Sequence, residues 1–197
     1  MEAFFISLGV VAVSEIGDKT QLLALLLAAR FKRPAPIIAG IFVATIFNHA
    51  LAGAVGGWVA TAVGPEILRW GLGLLFIGMG LWALIPDTLD DGDTNTKTAS
   101  TAFEIFWVTT VSFFVAEMGD KTQLATAALA ARLDSIILVV AGTTAGMLLA
   151  DVPAVFLGGF ATEKLQSKWI RYIAAVIFVV MGILTIFSGA LPDMWMP

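Results

Sequence analysis

Glu15-Ile16-Gly17-Asp18-Lys19-Thr20-Gln21-Leu22 recurs as Glu117-Met118-Gly119-Asp120-Lys121-Thr122-Gln123-Leu124, 102 residues further along the chain. The match continues through Leu27, Ala28, Ala29, Arg30 against Leu129, Ala130, Ala131, Arg132, so that eleven of sixteen positions are identical. The same ungapped offset pairs Ala39-Gly40 with Ala141-Gly142, Gly56-Gly57 with Gly158-Gly159, Arg69 with Arg171 and Met79-Gly80 with Met181-Gly182. The repeat is therefore a whole half-chain, and any account of the motif must explain why it is needed twice.

Around the motifs the chain is apolar. Of its 197 residues 59% are hydrophobic and 13% charged, and the mean hydropathy is +0.94, whereas soluble domains carry about a quarter charged residues. Apolar runs between punctuating residues predict six membrane spans: Ala3 to Ala29, Ala35 to Val63, Ile67 to Ile85, Phe103 to Ala131, Ser135 to Phe160 and Trp169 to Leu191. Trp58, Trp70, Trp82, Trp107, Trp169 and Trp195 fall near the ends of these runs, where an amphipathic ring gains from both the hydrocarbon and the headgroup layers. The first run lacks the basic start of a signal peptide and its motif recurs in the fourth, so it is read as structure. The fold class expected is all-α: a polytopic membrane protein of two three-helix repeats over 1–86 and 103–197, joined by an acidic linker over 87–102. Three spans is an odd number, so the second copy is predicted to insert upside down relative to the first. Such inverted repeats are common in secondary transporters, whose sites lie where the halves meet.

Outside the motifs, Arg30, Lys32, Arg33, Lys97, Lys164, Lys168 and Arg171 fall in loops on one side, against Arg69 and Arg132 on the other. That basic excess places the first side in the cytoplasm and both termini outside it. The absence of Cys and the single His49 exclude thiolate sites and multi-histidine zinc or copper sites. A net charge of −4 offers no basic patch for nucleic acid. Within the linker, Asp91-x-Asp93-x-Asn95 imitates the start of a calcium-binding loop. Thr96 in place of the required Gly and Ala102 in place of the closing Glu reject it.

The chemistry lies in the motifs. Read as continuous helix, Glu15 and Asp18 share one face, as do Glu117 and Asp120. Placing one charge at mid-span costs about 2.5–3.5 kcal/mol, against about 0.3–0.6 returned per large apolar residue. A structural ion pair is the plainer explanation, because Lys19 and Lys121 each follow a Glu by four residues. It accounts for one carboxylate per motif and leaves the other, which points to a cation site at Glu15, Asp18, Glu117 and Asp120 with Lys19 and Lys121 balancing charge. Oxygen donors alone suit Mn2+, Ca2+ or Mg2+. Four carboxylates, two ammonium groups and one divalent cation are neutral together. Two protons in place of the cation preserve that balance, so proton exchange is expected. Gln21 and Gln123 are candidate carbonyl ligands. Asn48 and Asp151 are candidate outer ligands or proton relays, with a buried hydrogen-bonded pair the alternative for Asp151, and His49, which pairs with Asp151 at the repeat offset, is read as a packed core residue. Gly17 and Gly119 weaken the helix and allow the backbone to open. The spacings Gly53 to Gly57 and Gly142 to Gly146 are read as helix-packing surfaces.

The duplicated Glu-x-Gly-Asp-Lys-Thr signature on six short spans resembles the calcium/manganese cation-proton exchangers of Golgi and thylakoid membranes and their bacterial manganese-exporting relatives. The resemblance covers essentially the whole chain. It implies a plasma-membrane exporter of Mn2+ or Ca2+, no cofactor, and a transported cation bound by the four motif carboxylates. Other readings differ in kind. An amino-acid or small-solute exporter would use the carboxylates for an ammonium group, which the adjacent lysines oppose. An intramembrane carboxylate protease would need only one dyad, and a passive channel would lack saturable, counter-ion-dependent flux.

Overall fold

The computed structural model describes residues 1–85, 99–133, 135–157 and 168–187. The acidic linker up to residue 98, the Gly158-Gly159 pair, Lys164 and Trp195 lie outside the described residues. Those described form eight helices and no strand. They are α1 (Glu2–Glu15), α2 (Lys19–Phe31), α3 (Pro34–Ala62), α4 (Pro65–Trp82), α5 (Ala102–Glu117), α6 (Lys121–Leu133), α7 (Ile136–Leu157) and α8 (Lys168–Phe187).

Pro34 and Pro65 open α3 and α4 at positions whose N–H would have no helical partner anyway. Thr101 and Glu104 form a reciprocal capping box at the start of α5, which fixes where the second half begins. Helices α3 and α7 are each long and apolar enough to cross a membrane, and α5 with α6 makes a third crossing if the bent pair is one span.

The first and fourth predicted spans are not continuous helices. Each breaks at its motif: α1 stops at Glu15 and α2 begins at Lys19, while α5 stops at Glu117 and α6 begins at Lys121, bent by 71°. The cause is local. Ile16 (φ −67°, ψ 113°) and Met118 (φ −65°, ψ 118°) are extended, and Gly17 and Gly119 follow at φ 83° and 77°. Asp18 and Asp120 then donate their backbone N–H back to the carbonyls of Glu15 and Glu117, both at 3.1 Å. These are the dihedrals and the bond of a type II β-turn, which calls for Gly at its third position. The glycine of the motif is thus a turn residue. Accordingly Glu15 and Asp18 do not share a helical face; they flank a turn.

Helices pack chiefly across the repeat. α1 lies on α7, and the corresponding α5 lies on α3; α2 contacts α7 as α6 contacts α3; α4 pairs with α8. Two close approaches repeat in the same way. A Cβ on Gly142 would lie 2.4 Å from the Phe4 carbonyl, and one on Gly40 would lie 2.8 Å from that of Phe106, its counterpart 102 residues on. Phe76 stacks on Phe178 and Thr45 donates to the Met147 sulfur, each a residue meeting its own repeat counterpart. Gly53 and Gly57 meet Ile136, and Gly142 and Gly146 meet α1, so both small-residue pairs are packing surfaces.

Charged and polar groups lie inside the apolar core while large apolar side chains cover the outside. Glu15, Asp18, Asn48, His49, Glu117, Asp120, Lys121 and Asp151 are buried, while Phe5, Phe47, Trp58, Leu74, Trp107, Val176 and many like them face outward. Only a hydrocarbon solvent makes that distribution favourable.

Candidate functional site

Both turns meet in the interior, and the charged groups pair across the halves. Lys19 of the first motif faces Asp120 of the second at 3.4 Å, and Lys121 donates to Asp18. The expected pairing of each lysine with the glutamate four residues earlier is not what forms. The turn ends the helical register between them, and the opposite aspartate lies nearer. One carboxylate oxygen each from Glu15, Asp18 and Asp120 fall within 4.8 Å of one another. Two oxygens on a common hard cation at about 2.3–2.6 Å can lie up to about 5.2 Å apart, so this triplet suits a divalent ion.

Of the four predicted motif carboxylates, Glu117 stands outside the triplet. It is fully buried, and neither carboxylate oxygen has a hydrogen-bond partner among the described residues. It lies within electrostatic reach of Glu15, Asp18, Asp120 and Asp151. Asp151 is likewise fully buried, without a hydrogen-bond partner for either oxygen, and interacts electrostatically with Glu15.

The glutamines hold the turns. The Gln21 side-chain oxygen accepts from the Gly17 N–H at 2.8 Å and that of Gln123 from the Gly119 N–H at 2.9 Å. Their amide groups reach across the repeat, Gln21 donating to the Ala150 carbonyl and Gln123 to Asn48. Asn48 in turn donates to the Phe114 carbonyl at 3.1 Å. These three residues support the turns, and their polar atoms are already engaged in doing so. His49 is fully buried and neither ring nitrogen has a hydrogen-bond partner among the described residues.

The residues that sequence reasoning left unassigned are Thr20 and Thr122, although both stand in the motif. Thr20 donates to one oxygen of Glu15 at 2.6 Å and Thr122, from the other half, donates to the second. Their repetition next to each lysine was the available signal.

Because a Cβ on Gly119 would meet nothing within 4 Å, Gly119→Ala isolates the cost of the left-handed backbone. It is expected to lower stability by about 1–2 kcal/mol, read as a lower thermal midpoint in detergent. An unchanged midpoint would mean that the turn relaxes freely.

Acids and lysines buried and paired across two helix breaks, inside an apolar exterior, are the groups that a membrane-embedded cation site needs. The chain matches the family described as "Divalent cation/proton antiporter GDT1" over residues 3–91 and again over 105–193, two segments at the repeat offset. It is 47% identical over 188 residues to a Vibrio cholerae protein named "Putative manganese exporter", covering 95% of this chain and 92% of that one. It is 27% identical to the Synechocystis "GDT1-like protein sll0615", over 94% of this chain and 97% of the relative. It is also 27% identical to the Arabidopsis thaliana "Protein PAM71-homolog, chloroplastic", over 94% of this chain and 59% of the relative. No solved structure matches. The chain belongs to the GDT1 family of divalent cation/proton antiporters, and is a transporter rather than an enzyme.

Proposed function

We propose that this chain exports Mn2+ from the cytoplasm in exchange for protons, with Glu15, Asp18 and Asp120 as the cation's ligands in this state and Glu117 joining as the halves move. The observation that carries the reading is the convergence of three carboxylate oxygens from both halves within 4.8 Å, flanked by two lysines. The name of the Vibrio relative favours Mn2+. Ca2+ is the alternative ion, since both accept carboxylate oxygens. Exchange by rocking of two inverted three-span halves, 1–86 and 103–197, about the site fits the cross-repeat helix pairing. A bacterial inner membrane, with both termini outside the cytoplasm, is the setting.

Asp151 changes the charge balance drawn from the motifs alone. Five carboxyl groups and two ammonium groups require a divalent cation plus one proton for neutrality, so one proton stays bound beside the ion. Asp151 is the outer member of the site, and Gln21, Gln123 and Asn48 hold the turns that carry the motif acids.

The test is metal flux in proteoliposomes of the purified chain, comparing Mn2+, Ca2+ and Mg2+ with and without a pH gradient. Saturable Mn2+ movement that responds to the gradient is expected. Flux of Mn2+ indifferent to pH, or of Ca2+ alone, would overturn the exchange or the substrate respectively.

A further inference from the structure

The two motifs are alike in sequence but not in their hydrogen bonds. Thr20 and Thr122 are repeat counterparts, and both donate to Glu15. Its counterpart Glu117 receives neither, although it is equally buried. Symmetry of the sequence makes the opposite arrangement, with both hydroxyls on Glu117 and Glu15 bare, equally constructible. A second asymmetry runs in parallel. Ser14 lines a small cavity that reaches Gly17, Asp18 and Lys121, whereas its counterpart Ala116 is buried in the core.

We propose that Thr20 and Thr122 are a shared donor pair that serves one glutamate at a time, Glu15 in the state with the Ser14 side open and Glu117 in the state with the Ala116 side open. The inference rests on the antiporter reading but extends it, because it assigns the motif threonines the task of marking which half's glutamate is held. Each hydroxyl has one proton to donate, so a threonine bonded to Glu15 is withheld from Glu117, and one carboxylate has an oxygen for each member of the pair. Each threonine comes from a different half, so transfer of the pair accompanies movement of the halves. A glutamine offers one acceptor oxygen and an amide that cannot accept, so it loses the competition for the pair.

Because the chain has no Cys, single-cysteine reporters at the two counterpart positions read the state without background. Ser14→Cys and Ala116→Cys would be labelled with a small water-soluble maleimide in the reconstituted full chain, in parent, Glu15→Gln and Glu117→Gln backgrounds. Glu15→Gln is expected to slow labelling at Ser14→Cys and speed it at Ala116→Cys by roughly tenfold, the size of one charge-assisted hydrogen bond. Glu117→Gln should hold Ser14→Cys at or above the parent rate. The opposition should vanish in Thr20→Val/Thr122→Val and return in Thr20→Ser/Thr122→Ser, which restores the hydroxyls. Thr122→Val alone, removing just the cross-half donor, gives the same comparison if the double variant does not fold. Shifts in the same direction from both glutamine variants, or opposition that survives the valines, would overturn the proposal. Labelling needs no transport, so a parent that moves no Mn2+ would sink the antiporter reading while leaving this one to be decided on the labelling rates.

Discussion

Asp18→Asn and Asp120→Asn are each expected to lower saturable Mn2+ flux in proteoliposomes by roughly 100-fold or more, equivalent to about 3 kcal/mol of lost cation binding. Both aspartates belong to the triplet whose oxygens lie within 4.8 Å. The amide keeps the shape of the side chain and removes one of three negative charges that face the cation. The two variants should nevertheless differ in how well they fold. The Lys121 side chain that donates to Asp18 is 5% exposed, while the Lys19 side chain that faces Asp120 is 21% exposed. Lys19 can therefore recover hydration when its carboxylate is lost, and Lys121 cannot. A lower thermal midpoint is expected for Asp18→Asn than for Asp120→Asn at equal loss of flux. Near-parental flux in either variant would remove that aspartate from the site.

The second large effect concerns the buried pair itself. Lys121→Met takes away the cation that lies against Asp18 and leaves a carboxylate deep in an apolar molecule, a change that typically costs about 3–5 kcal/mol. Little folded protein should be recovered in detergent. Neutralising both partners in Asp18→Asn/Lys121→Met is expected to restore most of the yield and thermal midpoint, because neither member of the pair is then left charged without the other. Flux should stay absent, since one of the three clustered carboxylates is gone. Should the double variant transport at a rate comparable to the parent, the crossed pairs would be structural and the cation would have to bind elsewhere.

The duplication, the apolar spans and the identity of the acids could be read from the residues, because period, hydropathy and charge are written directly in the chain. Helices α3, α4, α7 and α8 follow the bounds of the predicted runs closely. Sequence reasoning failed where it assumed that a motif inside an apolar run continues the helix. That assumption put Glu15 and Asp18 on one face and paired Lys19 with Glu15, whereas Gly17 and Gly119 close β-turns that send each lysine to the other half's aspartate. The glycine was read as a weakness of the helix when its left-handed φ is a demand of the turn. Asp151 and His49, counterparts in the alignment, share burial and the absence of hydrogen-bond partners among the described residues. Electrostatics alone separates them: Asp151 interacts with Glu15, and no position in one dimension reports that distance. The side-chain oxygens of Gln21 and Gln123, candidate ligands from the sequence, are directed by the turn to glycine N–H groups.

The interleaved packing of the helices governs how the chain is made. Each principal partner of α1, α2 and α4 belongs to the second half, so the first half has no core of its own to close upon. Asp18 meets Lys121 only once a further 103 residues have been synthesised, and Lys19 meets Asp120 only after a further 101. At about 5–20 residues per second, that interval is about 5–20 s. During it the nascent first half holds its acids and lysine in the bilayer or at the insertion machinery without their final partners. Assembly is therefore a late event in translation, and the ribosome reaches the second motif before the first has anything to bind.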